Sequence, residues 1–156
     1  MSTFLKRLFV TGFFTGYAPI APGTVGTLVG VIIYLLLYRF PYILYPMVIL
    51  LFIFGVKYSS WAETYFREKD SNKIVIDEIV GYLVAMANVR INYSCQDLKF
   101  WIVILSGFLL FRFFDIIKPF YINDLQKLKG GLGVMMDDLL AGVYANLILL
   151  LFMMFL

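Results

Sequence analysis

The chain has 156 residues, of which 62% are hydrophobic and 15% charged, with a formal net charge of +3. A water-soluble domain is about half apolar and about a quarter charged, so this composition excludes an ordinary soluble globule and points to one membrane-embedded unit, 1–156. There is no histidine and a single cysteine, which excludes histidine bases, histidine metal ligands, an internal disulfide and a cysteine metal cluster.

The opening stretch, MSTFLKRLFVTGFF, joins a charged start to an apolar run and shows no small-residue cleavage site. It reads as a retained amphipathic helix lying shallowly at the membrane surface. A spanning helix takes about 20 mostly apolar residues. Thr24 to Phe40 is the first candidate, and Ile43 to Val56, running on toward Trp61, is the second. Pro41 and Tyr42 between them predict a tight turn and hence a hairpin. Lys57 to Lys73 is polar, with Tyr58, Trp61, Tyr65 and Phe66 at helical spacing, which predicts a helix extending out of the bilayer or lying on its surface.

Ile74 to Ile91 is a third, weaker candidate, either spanning or half-inserted, carrying Asp77 and Glu78 near its start. Phe100 to Ile117 is a fourth, with Arg112 and Asp115 near its end. A loop from Lys118 to Met136 holds Pro119 and the glycine-rich KGGLG, read as a mobile loop or an anion nest. Asp138 to Leu156 is the fifth. The predicted fold is therefore all-α: a polytopic membrane helical bundle of about five transmembrane helices plus the N-terminal amphipathic helix.

Five crossings from a cytoplasmic N-terminus put Lys6, Arg7, Lys57, Arg67, Lys69, Lys73, Arg112, Lys118, Lys127 and Lys129 inside. Arg39, Arg90 and Lys99 fall outside, a bias that fits the positive-inside rule. Cys95 lies in the external loop NYSCQD and has no assigned role. With this topology four polar groups converge on the cytoplasmic face: the stretch GYAPIAPGTVGT, the pair Asp77/Glu78, the series Arg112/Asp115/Lys118, and the pair Asp137/Asp138.

Five carboxylates at one depth repel one another and favour protonation unless something compensates. Arg112 and Lys118 supply two positive charges, leaving a formal −3 that one or two divalent cations would balance. Carboxylate oxygens suit Mg²⁺, which also recruits phosphate oxygens. A single acid at a helix end is more simply an interfacial side chain reaching water. Three acidic groups beside an arginine are a functional cluster.

In FRFFDIIKP, Arg112, Asp115 and Lys118 share a helix face, and a guanidinium fork and an ammonium both grip phosphate. The simpler reading of that face alone is a salt-bridge ladder. In APGTVGT, backbone N–H groups and the Thr24 hydroxyl at a helix start form an anion site. Small residues there equally serve close helix packing, and no P-loop pattern is present.

The series PGTVGT, IDEIVG, FRFFDIIKP and GGLGVMMDDLLAG, in this order, resembles the phosphatidylglycerophosphatase A family from about Tyr17 to Asn146. The resemblance implies a Mg²⁺-dependent phosphatase of the bacterial inner membrane, multi-pass, with its active site facing the cytoplasm. The implied substrate is the lipid phosphatidylglycerophosphate, converted to phosphatidylglycerol and phosphate, with no nucleic-acid partner. It implies catalytic acids at Asp77, Glu78, Asp115, Asp137 and Asp138, with Asp77, Glu78, Asp137 and Asp138 as metal ligands. Arg112, Lys118 and Thr24 are implied on the phosphate side. Thr27 stands where the family often has serine, and Tyr121 where a second proline often follows KP.

Without a DxDx[TV] stretch, water is preferred to aspartate as the nucleophile, with one of Asp77, Glu78, Asp137 or Asp138 as base. The main competing reading is a small membrane transporter for a cation or an anionic lipid. Transporter sites lie near the midplane between pseudo-repeats, and no repeat is visible here. A CDP-lipid phosphotransferase would need a DGxxAR motif that is missing, and a non-catalytic assembly subunit has no need of five acids at one depth.

Overall fold

The computed structural model describes residues 1–89 and 93–156. Among these residues seven helices follow one another: α1 (Thr3–Val10), α2 (Pro22–Leu37), α3 (Pro41–Phe66), α4 (Ile76–Ala85), α5 (Leu98–Ile117), α6 (Ile122–Leu125) and α7 (Gly131–Met153), with a 3₁₀ turn at Thr15–Tyr17 before α2. No strand is present among the described residues.

Among the described residues three helices, rather than the five expected, are long and apolar enough to cross a membrane: α3, α5 and α7. The sixteen residues of α2 rise only about 24 Å, short of a hydrocarbon core of about 30 Å. The ten residues of α4 reach about half that depth. The third predicted span therefore contracts to a half-length helix. Its expected end at Ile91, like the external Arg90, lies outside the described residues.

The break between α2 and α3 falls at Tyr38–Phe40, and Pro41 opens α3 instead of forming the turn. Proline suits a first helical position, where its missing N–H would have had no partner and its fixed φ matches the helix. The polar Lys57 stretch continues α3 without interruption to Phe66, where Arg67 in the left-handed region (φ 57°) ends it. α7 begins at Gly131, well before the expected Asp138. KGGLG is thus largely a helix start: Gly131 donates its N–H to Ser60 Oγ at 2.8 Å. A Cβ on Gly131 would lie 2.7 Å from Ser60 N.

α4 is the centre of the molecule. All but two of its residues are buried, and α2, α3, α5 and α7 all pack against it. Small residues permit this. Gly142 on α7 lies directly against the carbonyl of Gly81 on α4, where any side chain would collide. Between helices in an apolar setting, association rests on such close van der Waals packing. Tyr34 and Tyr82 add an edge-to-face ring pair at 6.4 Å.

A half-length helix must satisfy its last carbonyls inside the bundle, because unpaired polar groups in an apolar medium are costly. The Asn146 side-chain amide, from α7, donates to Ala85 O at 2.9 Å and also to Ala87 O. Tyr34 Oη donates to Val89 O at 3.3 Å. These bonds tie the far end of α4, so its start, where Asp77 and Glu78 sit, has a fixed position.

Candidate active site

The starts of α2, α4 and α7 and the end of α5 meet at one end of the bundle around a cavity of about 440 Å³. The expected convergence is therefore present. Asp77 and Glu78 enter from the first turn of α4, Arg112, Asp115 and Lys118 from the end of α5, and Asp137 and Asp138 from α7. Ala21, Pro22 and Gly23 form the wall contributed by α2. Thr24 is the one candidate outside this lining.

The five acids divide into two classes. Arg112 Nη1 lies 2.6 Å from Asp115 Oδ2, one turn along α5. Lys118 Nζ lies 2.6 Å from Asp137 Oδ2, joining α5 to α7. Partial burial weakens the Lys118 ammonium's hold on its proton, and Asp137 more than restores it, so the group titrates above the usual lysine value. Asp77, Glu78 and Asp138 form no ion pair among the described residues. Each offers an oxygen within 4.8 Å of the others.

Asp77 and Asp138 are buried and Glu78 is half-buried. Asp77 Oδ1 accepts the Glu78 N–H at 3.1 Å, and Asp137 Oδ1 accepts the Asp138 N–H at 3.0 Å. Glu78 Oε2 and Asp138 Oδ2 are buried without any hydrogen-bond partner. Buried polar atoms are almost always satisfied, so two orphaned oxygens in a trio of clustered carboxylates are a donor set that fits a hard divalent cation. The formal −3 left after the two ion pairs rests on this trio.

Gly23 explains much of the APGTVGT pattern. A Cβ there would strike the Glu78 carboxylate, and Arg112 Nη1 lies 3.2 Å from the same point. The motif thus keeps a carboxylate and a guanidinium close to the α2 backbone. Thr27, buried on the next turn, donates its hydroxyl to Gly23 O at 2.8 Å, a bond within the helix and not into the cavity.

Asp70, Ser71, Asn72 and Gln126 also line the cavity, and no motif in the sequence marks them. Gln126 Nε2 donates to Asp70 Oδ2 at 2.5 Å and bridges the loop after α3 to the segment after α6. Nothing local in DSN or LQK marks this contact, since the two stretches are far apart along the chain.

A larger cavity, about 890 Å³, lies at the opposite end of the bundle, where Tyr34, Arg39, Tyr45 and Asn88 contribute to its wall. No carboxylate lies in that wall among the described residues. The smaller cavity holds the acids, both cations and the orphaned oxygens, and size alone does not outweigh that chemistry.

The family model described as Phosphatidylglycerophosphatase A matches residues 8–153. A Bacteroides thetaiotaomicron protein with a provisional phosphatidylinositol-3-phosphatase name is 39% identical over 153 residues, covering 94% of this chain and 92% of its own. The Haemophilus influenzae phosphatidylglycerophosphatase A is 37% identical, covering 91% of this chain and 85% of its own. The Escherichia coli K12 phosphatidylglycerophosphatase A is 33% identical, covering 88% and 77%. No solved structure matches the chain.

Proposed function

The chain belongs to the phosphatidylglycerophosphatase A family, and on that premise we propose that it removes the terminal phosphate of phosphatidylglycerophosphate in a Mg²⁺-dependent reaction. The site would face the cytoplasm at the bacterial inner membrane. The observation that carries this reading is the orphaned oxygen pair, Glu78 Oε2 and Asp138 Oδ2, in a cavity shared with Arg112 and Lys118.

Asp77, Glu78 and Asp138 would hold Mg²⁺, which when bound draws charge from the phosphate oxygens. Arg112 and Lys118 bind the phosphomonoester and stabilise the charge that grows on its oxygens during transfer. Backbone N–H groups around Gly23 and Thr24 at the start of α2 add a further anion contact. Asp115 holds the guanidinium in place. Asp137 stands apart from the trio, and each of its oxygens keeps a second lone pair. It takes a proton from the attacking water. The water oxygen bonds to phosphorus, the bond from phosphorus to the glycerol oxygen breaks, and that oxygen recovers a proton as the product alcohol.

The test is phosphate release from phosphatidylglycerophosphate in detergent micelles with and without Mg²⁺, using wild type and Asp138→Asn. Release that needs Mg²⁺ and disappears in the variant supports the reading. Folded wild-type protein that releases none defeats it. Phosphatidylinositol 3-phosphate belongs in the same assay, because the name of the Bacteroides relative points to that headgroup.

A further inference from the structure

Beside the Lys118–Asp137 ion pair that lines the acidic cavity runs a third cavity, of about 420 Å³, walled by Phe114, Phe120, Tyr121, Tyr144, Leu147 and Ile148. We propose that this groove seats an acyl chain of the lipid whose phosphate occupies the acidic cavity, an inference that rests on the lipid-phosphatase reading above.

The groove continues the site in space. On α7, Asp137, Tyr144 and Ile148 are spaced by seven and then four residues, which places them on one face. Phe114, in the last turn of α5, accepts the backbone N–H of Lys118, the residue that caps the helix, at 2.8 Å, so it lies one turn below that residue. Lys118 and Asp137 meet at 2.6 Å, and below them the rings of Phe114 and Tyr144 meet at 5.8 Å. At a rise of 1.5 Å per residue, Tyr144 lies about 10 Å and Ile148 about 16 Å along α7 from Asp137. A phospholipid has this layout, with phosphate at the surface and chains running inward from it.

The mouth of the groove is shaped for entry. Phe120, held at φ 56° just past Lys118, is 82% exposed, and its ring stands edge-on to Tyr144 at 6.3 Å. Leu147 and Ile148 leave much of their surface open on the same side. In a bilayer, moving a chain from bulk lipid into such a groove gains no hydrophobic free energy, since lipid tails are as apolar as leucine. The groove therefore acts by packing. It holds the chain, and so the headgroup, in register with the acids.

The test uses phosphatidylglycerophosphates with hexanoyl, decanoyl and palmitoyl chains in one detergent. Wild type should prefer palmitoyl to hexanoyl substrate in kcat/KM, and Ile148→Trp, which fills the groove, should reduce that ratio about tenfold. Leu36→Trp, on the open face of α2, should keep the wild-type ratio. A second arm is independent of turnover: phosphatidylglycerol bearing a diazirine on its acyl chain should label the peptide containing Leu147 and Ile148, and the Trp variant should lose that labelling.

An unchanged ratio in Ile148→Trp, or an equal loss in Leu36→Trp, overturns the proposal. So does a change in the number of copies per micelle on mutation, which would make the groove a seat for a second copy of the chain. Labelling at the groove with no hydrolysis of any substrate would defeat the enzymatic reading and leave the lipid seat standing.

Discussion

Gly23 lies so close to Glu78 that a Cβ on residue 23 would take the place of the Glu78 carboxylate oxygen. The atom in the way is the tip of a flexible side chain, so Gly23→Ala is expected to fold. The displaced carboxylate is the loss. A misplacement of about 1 Å in a catalytic group costs on the order of a hundredfold in rate. We expect kcat/KM to fall by that order while the melting temperature holds. Wild-type kinetics in this variant would remove Glu78 from the site.

Binding of Mg²⁺ should register as stability as well as rate. A ligand at about a hundred times its Kd stabilises the folded state by about 2.7 kcal/mol. Titrating Mg²⁺ into wild type in detergent should raise the unfolding temperature, and chelation should reverse the rise. In Asp138→Asn and Glu78→Gln the rise should vanish. A full Mg²⁺ response in both variants would place the cation elsewhere.

The Lys118–Asp137 pair lends itself to a double-mutant test. Lys118→Met leaves the Asp137 carboxylate buried without its partner, a loss of about 1–3 kcal/mol for a stranded buried group. Asp137→Asn in the Lys118→Met background removes the stranded charge, so most of that stability should return. Activity should not return if Lys118 binds the phosphate and Asp137 is the base, as proposed above. Recovery of turnover in the double variant would show that the pair is structural only.

Asn146 is the residue to change at the other end of α4. Asn146→Leu removes the donor to Ala85 O and Ala87 O and leaves two inward carbonyls unpaired, at about 1–3 kcal/mol each. Thermal unfolding in detergent should show the loss directly. A melting temperature within error of wild type would mean that other donors replace the amide.

The sequence displays the acids, their cations and the meeting of four motifs at one end, because charge is conspicuous in an apolar chain. It does not display how the acids are apportioned. Nothing in FRFFDIIKP tells whether Lys118 pairs with Asp115 on its own helix or with Asp137 on another. Helix length is less legible. Ile74 to Ile91 is apolar enough to pass for a span, yet the run stops at Ala85. Such a helix survives because Asn146 and Tyr34, remote in sequence, meet its carbonyls. Periodicity reports which side chains are apolar and is silent about a partner that lets a helix end early. The Gln126–Asp70 bridge was hidden for the same reason.

The bonds that Asn146 makes to the end of α4 have a consequence for biosynthesis. α7 is translated after α4, so α4 emerges from the ribosome when Tyr34 of α2 already exists but the Asn146 amide and the Gly142 neighbour do not. It cannot settle at its final depth until α7 threads in beside it. The Asp77/Glu78 half of the site then meets the Asp137/Asp138 half in the same event. A nascent chain stalled before α7 would carry only one half of the acidic site, and the proposed activity would begin only when the last long helix is in place.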